Sequence, residues 1–592
     1  MARWMLKQRA VNIKKLSEAT GISETLVTIL ANRDIKTEEE IIKFMNPSIE
    51  NLQNPLLMKD MDKGTGIIKD AIEEGKKIVV YGDYDADGII STYILYSALL
   101  RCGAEVKYHI PDRIMEGYGI NSDSIKTLKE EGYEVIITCD NGISAIEQVK
   151  FAKELGMTIV ITDHHDIPFM VKDNGEREFT IPEADAIINP KQQDCKYPFK
   201  ILCGAGVAFK FVQVLYGKMG IDKREAYKFI EYAAIGTICD VVDLIGENRI
   251  IAKSGLGLLN STSNIGIKAL IKENSLENKN IVSYHIGFVI GPCINATGRL
   301  DSAALALKLL LSEDEKEAQD LAKKLRQLNI ERQNMTVDSV NQIIDMIENS
   351  NMKDDKVLVV YKPDVHESIA GIVAGRLKER YSVPAIVLTQ GEKTPKGSGR
   401  SIEEYNMFEE LIKCKDLMEK FGGHPLAAGL SIKEENIDKL RKTLNDNCTL
   451  TEEDIIPKIR IDKRIPLEQL SFKLIEDIER LEPFGKGNSS PIFAEKEVTV
   501  FRIYLMGKEK SVLKLFVRPK GSMEKIDAIS FDGADKFKQL IEEVYGEEKL
   551  IEIINGAFTN LKMDLIFSPS INEYNGNVSL QLIVKDFRLS SS

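Results

Sequence analysis

Residues 81–91 read Tyr-Gly-Asp-Tyr-Asp-Ala-Asp-Gly-Ile-Ile-Ser, with Asp83, Asp85 and Asp87 at alternate positions. An apolar run, Ile78, Val79 and Val80, precedes them, and a helix-like pattern through Ile89, Ile90, Tyr93 and Leu95 follows. In an extended chain residues two apart share a face. The spacing therefore predicts three carboxylates converging at the end of a strand, where a turn starts. Such a cluster repels itself unless cations neutralise it.

Working outward, short apolar strands alternate with amphipathic helices. Strands are predicted at 77–81, 105–110, 134–139, 158–162 and 186–189. The pattern is that of an α/β unit, a parallel sheet covered on both faces. Ligands of such sheets gather at the carboxyl ends of the strands. The third strand runs into Asp140, Asn141 and Gly142, and the fourth into Asp163, His164, His165 and Asp166. A later apolar helix ends at Asp240.

A chain of 592 residues exceeds one core. Five segments are expected: an N-terminal helical extension (1–55), a catalytic α/β domain (56–311), a long connecting helix (312–350), a smaller α/β domain (351–450) and a β-barrel (451–592). After about residue 455 the strands are expected at 458–461, 497–504, 511–517, 526–531, 550–557, 563–568 and 579–587. The eight cysteines form no Cys-x-x-Cys pair, and no apolar run is long enough to cross a bilayer. A reduced, cytoplasmic, monomeric protein without a membrane partner is expected. The net charge of −12 by itself argues against nucleic acid. It is only a mean, and clustered acids can coexist with a basic surface.

Three constellations stand out. The first is Asp83, Asp85, Asp87, Asp140, His164, His165 and Asp240. A lone Asp-x-Asp is commonly a turn or a helix cap, and a lone histidine is commonly structural. Here the acids recur at strand and helix ends, and two of only six histidines sit side by side there. Carboxylate with a minority of imidazole and no thiolate favours Mn²⁺ or Mg²⁺ over structural zinc. This many acids suits two ions that act together on a phosphoryl group. Asp85, Asp87, Asp140 and His165 are the catalytic candidates.

The second set is Arg376, with two glycine-rich loops predicted around Ser398, Gly399, Arg400 and Ser401 and around Gly423 and His424. Backbone amides with arginine make a phosphate cradle. Either loop alone is as well read as a tight turn. Asn295 and Arg299, in a polar loop predicted over 291–301, form a weaker case, since Asp301 can simply pair with Arg299. The third set is residues 484–520. Cations at 486, 496, 502, 508, 510, 514, 518 and 520 outnumber acids at 495, 497 and 509 by five, and Phe484, Phe493, Phe501, Tyr504 and Phe516 are interleaved. A basic, aromatic barrel face binds single strands without sequence choice. The plainer reading is aromatics in the core beneath a solvated face.

Gly82-Asp-Tyr-Asp-Ala-Asp-Gly88, Asp140-Asn-Gly142, Asp163-His-His165 and Asp240 resemble the successive motifs of the DHH phosphoesterase superfamily. Gly397-Ser-Gly-Arg-Ser401 and Gly422-Gly-His424 resemble its DHHA1 domain, and Leu481-Glu-Pro-Phe-Gly-Lys-Gly-Asn488 resembles the entry to the OB-fold of its single-strand-specific DNA exonucleases. The resemblance implies a 5′→3′ exonuclease on single-stranded DNA that releases 5′-mononucleotides, in recombination and repair. It implies one cation on Asp83, Asp85 and Asp140, and a second on Asp87, Asp140, His164 and Asp240. His165 would face the scissile phosphate, and Arg299, Arg376, Arg400 and His424 the strand's phosphates. A single-strand-binding protein and a helicase are the implied partners. Two alternatives stay open. One is a phosphoesterase acting on oligoribonucleotides, cyclic dinucleotides or pyrophosphate. The other is a single-strand-binding module with an inactive metal site.

Overall fold

The computed structural model describes residues 2–117, 119–171, 176–519, 521–522, 524–574 and 576–590. They form two compact units. One comprises residues 49–242 and 247–457, the other residues 2–48, 243–246 and 458–592.

The first unit is built on a five-stranded sheet. Its order is Val106–His109, Ile78–Tyr81, Val135–Cys139, Thr158–Thr162, Ala186–Ile188. All pairings are parallel; Tyr81 lies opposite both His109 and Thr138. The strand order reverses between Ile78–Tyr81 and Val135–Cys139, which places the topological switch point where Asp83 and Asp140 emerge. The three central strands are buried and mostly apolar because helices cover both faces, whereas edge strand Val106–His109 is half-buried and carries Lys107 and His109. Ile78 and Val80 join the core beneath Ala86–Arg101 and Gly204–Lys218, while Val79 and Tyr81 join the opposite core.

Helix Ala86–Arg101 begins three residues earlier than its apolar pattern. Asp85 is its N-cap, accepting from Gly88 N at 3.0 Å. Asp83, Asp85 and Asp87 are therefore not three teeth of one extended strand. A helix starts inside the run and turns Asp87 toward a different partner, because the aspartate N-cap satisfies an otherwise orphaned amide. The polar loop predicted over 291–301 is likewise helix Gly291–Leu300, following a π-turn at Ile286–Ile290. Its polar residues are taken up by specific partners, described below.

Glu315–Glu348 is one uninterrupted helix of 34 residues, N-capped by Asp314. Beyond it lies a second sheet in the order Met418–His424, Ala427–Ile432, Lys396–Arg400, Ala385–Thr389, Leu358–Tyr361. The two glycine-rich loops predicted there are strands of this sheet. Lys396–Arg400 is central, with ladder partners on both sides, so its backbone amides serve the sheet and not a phosphate cradle.

In the second unit five strands close into a barrel: Phe493–Met506, Val512–Arg518, Ile526–Ser530, Asn577–Leu589 and Leu561–Tyr574, which returns to Phe493–Met506. The strand predicted at 550–557 is helical, Glu547–Ile554. Leu550 and Ile553 are buried while Ile551 is exposed, a helical and not an alternating period. The N-terminal helices belong to this unit. Leu26, Leu30, Ile41 and Phe44 share one core with Phe493, Leu515 and Phe567. Arg3–Leu6 pairs in parallel with Lys458–Ile461, and Trp4 Nε1 donates to Asp586 Oδ2 at 2.7 Å.

A buried ion pair fastens the first unit's core. Lys210 Nζ lies 2.6 Å from Glu247 Oε1, both side chains being almost wholly inaccessible. Lys210 also donates to Gln53 O, and Tyr197 Oη donates to Glu247 Oε2 at 2.5 Å. Removing one partner of such a pair leaves a buried charge uncompensated. Glu247→Ala is expected to destabilise this unit by about 3–5 kcal/mol in urea denaturation, and Glu247→Leu combined with Lys210→Met by much less.

Candidate metal centre

Seven carboxylate and imidazole side chains converge at the switch point. Ligand atoms of Asp83, Asp85 and Asp140 lie within 4.8 Å of one another, as do those of Asp87, His164 and Asp240, and those of Asp140, His164 and His165. Asp140 and His164 are each common to two of these groups. His164 Nε2 is 2.9 Å from Asp140 Oδ1, 3.8 Å from Asp87 Oδ2 and 3.7 Å from Asp240 Oδ2.

Each ligand is fixed by its own local structure. Asp140 takes the left-handed conformation, φ +62°, which turns its side chain out of the strand direction. Its N–H donates to Thr162 O at 3.1 Å, and Asn141 Nδ2 donates to Tyr81 O and Cys139 O, tying the two strand ends together. Asp87 accepts from Gly204 N at 2.6 Å and Ala205 N at 2.9 Å, at the start of helix Gly204–Lys218, where the helix dipole favours a negative group. Asp163 is not a ligand but an anchor. Its buried carboxylate accepts from His164 N, His165 N and Ile143 N, and lies 2.8 Å from His165 Nδ1.

The electrostatics are those of a site made for cations. Burial, then Asp85, pushes Asp87 up to about 6. Burial, then Asp87 and Asp85, pushes Asp240 up to about 8. Asp83 and Asp140 are raised well above the carboxylate range, by burial first and their acidic neighbours second. The distances around His164 alone would read as ion pairs. Burial and the adjacent His165 instead hold it neutral, down at about 3, the form that binds a metal. Burial opposes charge on His165, but the Asp163 hydrogen bond and the surrounding acids prevail and lift it to about 9. Asp83 Oδ1 and His164 Nε2 are buried with no hydrogen-bond partner among the described residues. Together with the hard-oxygen donor set, they fit Mn²⁺ or Mg²⁺.

Glycines let the acids approach the helices. A Cβ on Gly204 would lie 2.7 Å from Asp140 Oδ1, and one on Gly236 would lie 2.5 Å from Asp87 Oδ1. Gly204 opens helix Gly204–Lys218 and Gly236 lies within helix Ile230–Cys239.

Around the acids stand arginines, two of which the motifs do not reveal. Arg299 Nη1 donates to Ser368 O, joining the first α/β lobe to the second. Burial, then Arg113 and Arg332, pulls Arg299 down to about 10. Arg400 is lowered by burial and by Arg113. Arg113 stacks its guanidinium 4.9 Å from the Tyr84 ring centre. Asp85 partly offsets this crowding at Arg299, and guanidiniums are well suited to phosphate oxygens. Ser398 and Arg400 face Gly371, where a Cβ would lie 2.7 Å from Arg400 Nη2. His424 Nδ1 is 3.8 Å from Asp166 Oδ2, a second link between the lobes.

Other sequence candidates are turned elsewhere. Asn295 Oδ1 accepts from Ala86 N at 2.9 Å and so positions the helix that carries Asp87. Ser401 is buried and donates to Tyr405 O. Gly399 packs on Met407 on the core side of its strand. Gly423, φ +152°, lies where a Cβ would strike Ala427 O. Arg376 is exposed and lies 3.4 Å from Glu379. Asp301 pairs with Lys324 at 3.1 Å, leaving Arg299 to Ser368.

In the barrel unit the aromatics divide. Phe493 is core, and Phe484 packs against it. Phe501 and Phe516 are half-buried and stacked at 6.0 Å. Arg518 lies 4.2 Å from the Phe501 ring centre; Lys525 and Lys514 lie 4.6 and 5.0 Å from that of Phe516. Arg502 lies 4.5 Å from the ring centre of exposed Phe558. Lys520 lies outside the described residues.

Saturating Mn²⁺, at about 100 times its dissociation constant, is expected to stabilise the protein by about 2.7 kcal/mol. Thermal melts with and without Mn²⁺ measure the gain. Gly204→Ala, by displacing Asp140, is expected to remove most of it.

Family models match three segments: the DHH family N-terminal domain over residues 77–237, the DHHA1 domain over 354–449 and the RecJ OB domain over 461–586. The chain is 36% identical over 593 residues to the single-stranded-DNA-specific exonuclease RecJ of Bacillus subtilis, covering 99% of this chain and 71% of that one. It is 32% identical over 561 residues to the RecJ of Haemophilus influenzae, covering 92% and 93%. The crystal structure of RecJ in complex with Mn²⁺ from Thermus thermophilus superposes with a TM-score of 0.81 at 25% identity, over 100% of this chain and 80% of that one. The motifs at the switch point, the order of the three matched domains and the near full-length identity agree: the chain belongs to the RecJ family within the DHH phosphoesterases.

Proposed function

We propose that this chain is a cation-dependent exonuclease that degrades single-stranded DNA from its 5′ end to 5′-mononucleotides, in recombination and repair. The convergence of three ligand groups on Asp140 and His164 carries this reading. Asp83, Asp85 and Asp140 would hold one cation; Asp87, Asp140, His164 and Asp240 would hold the other. When bound, such a pair supplies a water of lowered pKa and neutralises charge on the phosphate. His165, kept cationic by Asp163, offers the phosphate a positive charge and a proton. Arg113, Arg299 and Arg400 orient the strand by its phosphates, and Asn295 acts indirectly by fixing Ala86.

A phosphoesterase for dinucleotides or pyrophosphate would use the same acids but has no use for the stacked, cation-flanked rings of the barrel. Those rings support a longer single strand as substrate. The 5′→3′ polarity is supported by the family resemblance, as are the single-strand-binding protein and helicase partners. All eight cysteines are free thiols, which supports a reducing cytoplasm. Among the described residues no helix is long and apolar enough to cross a membrane.

With Mn²⁺, a 5′-labelled single strand is expected to yield labelled mononucleotide at once, and a 3′-labelled one a shrinking ladder. Asp85→Ala should lower the rate by about 10²–10³-fold or more. Immediate mononucleotide from the 3′ label would reverse the polarity, and faster cleavage of a dinucleotide than of a long strand would replace the substrate. Phe516→Ala is expected to weaken strand binding by about 1–3 kcal/mol, measured by fluorescence anisotropy, with kcat on a saturating strand little changed.

A further inference from the structure

Arg113 belongs to no helix or strand. It opens a turn, residues 113–116, between edge strand Val106–His109 and helix Ser122–Glu130. Its guanidinium makes no hydrogen bond or ion pair among the described residues, and its ring partner is Tyr84. Its charge nevertheless reaches Asp83, Arg299 and Arg400. With no side-chain acceptor to locate it, this cation is placed by its backbone and by one ring.

That backbone is closed from both ends. Asp112 Oδ1 accepts from Ile114 N and Met115 N, each at 2.9 Å. Asp112 O accepts from Glu116 N and Gly117 N at 2.9 and 3.1 Å. In return Glu116 Oε1 accepts from Asp112 N at 2.9 Å. Glu116 Oε2 reaches outside the turn. Ser124 Oγ and Asn121 Nδ2 donate to it at 2.5 and 2.8 Å, and His109 Nε2 lies 3.0 Å away. Burial opposes charge on Glu116, but Ser124, the Asp112 amide and Asn121 prevail and hold it down at about 2.

One carboxylate thus ties the turn to the strand before it and the helix after it. The helix does not need Glu116 in order to start, because Asn121 Oδ1 already caps it by accepting from Ser124 N at 2.8 Å. Asn121 Nδ2 also donates to Tyr81 Oη at 3.1 Å, and Tyr81 ends the strand that leads to Asp83. The network therefore links the backbone that carries the arginine to the strand that carries the acids.

We propose that Glu116 is a positioning residue for strand cleavage: its carboxylate holds the turn in register with the acid cluster, so that Arg113 meets a phosphate of the strand bound there. Displacing such a group by 1 Å can cost about 10²-fold. The proposal rests on the reading of the chain as a nuclease.

Steady-state degradation of a single strand with Mn²⁺, measured as a double-mutant cycle, tests it. Glu116→Gln keeps the shape and removes the charge; it is expected to raise KM about tenfold and to change kcat less than about twofold. Ser124→Ala removes one donor and should raise KM about threefold. In an Arg113→Ala background neither substitution should raise KM further by more than about 1.5-fold, because the effect passes through Arg113. A merely structural role would lower the melting temperature without this non-additivity. The proposal is overturned if the losses multiply in the Arg113→Ala background, or if KM is unchanged in Glu116→Gln. Those results require an active parent enzyme; a parent that cuts no strand overturns the nuclease reading itself, and the proposal with it. Ser124→Ala is the milder change and reads the same coupling should Glu116→Gln fail to fold.

Discussion

Buried carboxylates a few ångströms apart cannot all be charged unless cations lie among them. Much of the first unit is arranged to hold that unfavourable set in place. The parallel sheet reverses its order where Asp83 and Asp140 leave their strands. One helix start supplies amides to Asp87, and another is capped by Asp85. Gly204 and Gly236 remove the side chains that would otherwise hold the helices away. The fold stores repulsion, and cation binding relieves it. Metal affinity and the stability of the centre are therefore one property.

The two adjacent histidines show how little sequence distance is needed to separate roles. Asp163 accepts both their backbone amides, yet lies against only one ring, that of His165. Burial lowers both rings, but the Asp163 hydrogen bond lifts His165 above its ordinary value while His164 stays below its own. The single anchoring carboxylate makes that distinction.

The acids, the histidines and the sheet were legible because strand period and strand-end position are local properties of the chain. The barrel was legible in outline for the same reason. What escaped depends on partners far away in sequence. Asn295 and Arg299 looked like loop residues because their polarity is explained only by Ala86 N and Ser368 O. The glycines around Ser398 and Arg400 looked like a phosphate cradle because nothing local reveals a strand paired on both sides. Arg113 and Arg332 sit in unremarked stretches and gain meaning from Arg299. Residues 550–557 were misread because Ile551, Ile553 and Ile554 suit either period, and only their unequal burial decides between them.

The shared core of the N-terminal helices and the barrel has a consequence for biosynthesis. Residues 2–48 leave the ribosome about 400 residues before residues 458–592, with which they form one unit. At about 5–20 residues per second that interval is roughly 20–80 s. Throughout it Leu26, Leu30 and Ile41 lack the strands they will pack against, while the catalytic unit can already be complete. The nascent chain must keep an apolar segment soluble at one end until its far end arrives. The beginning of the chain thus cannot finish folding before its end.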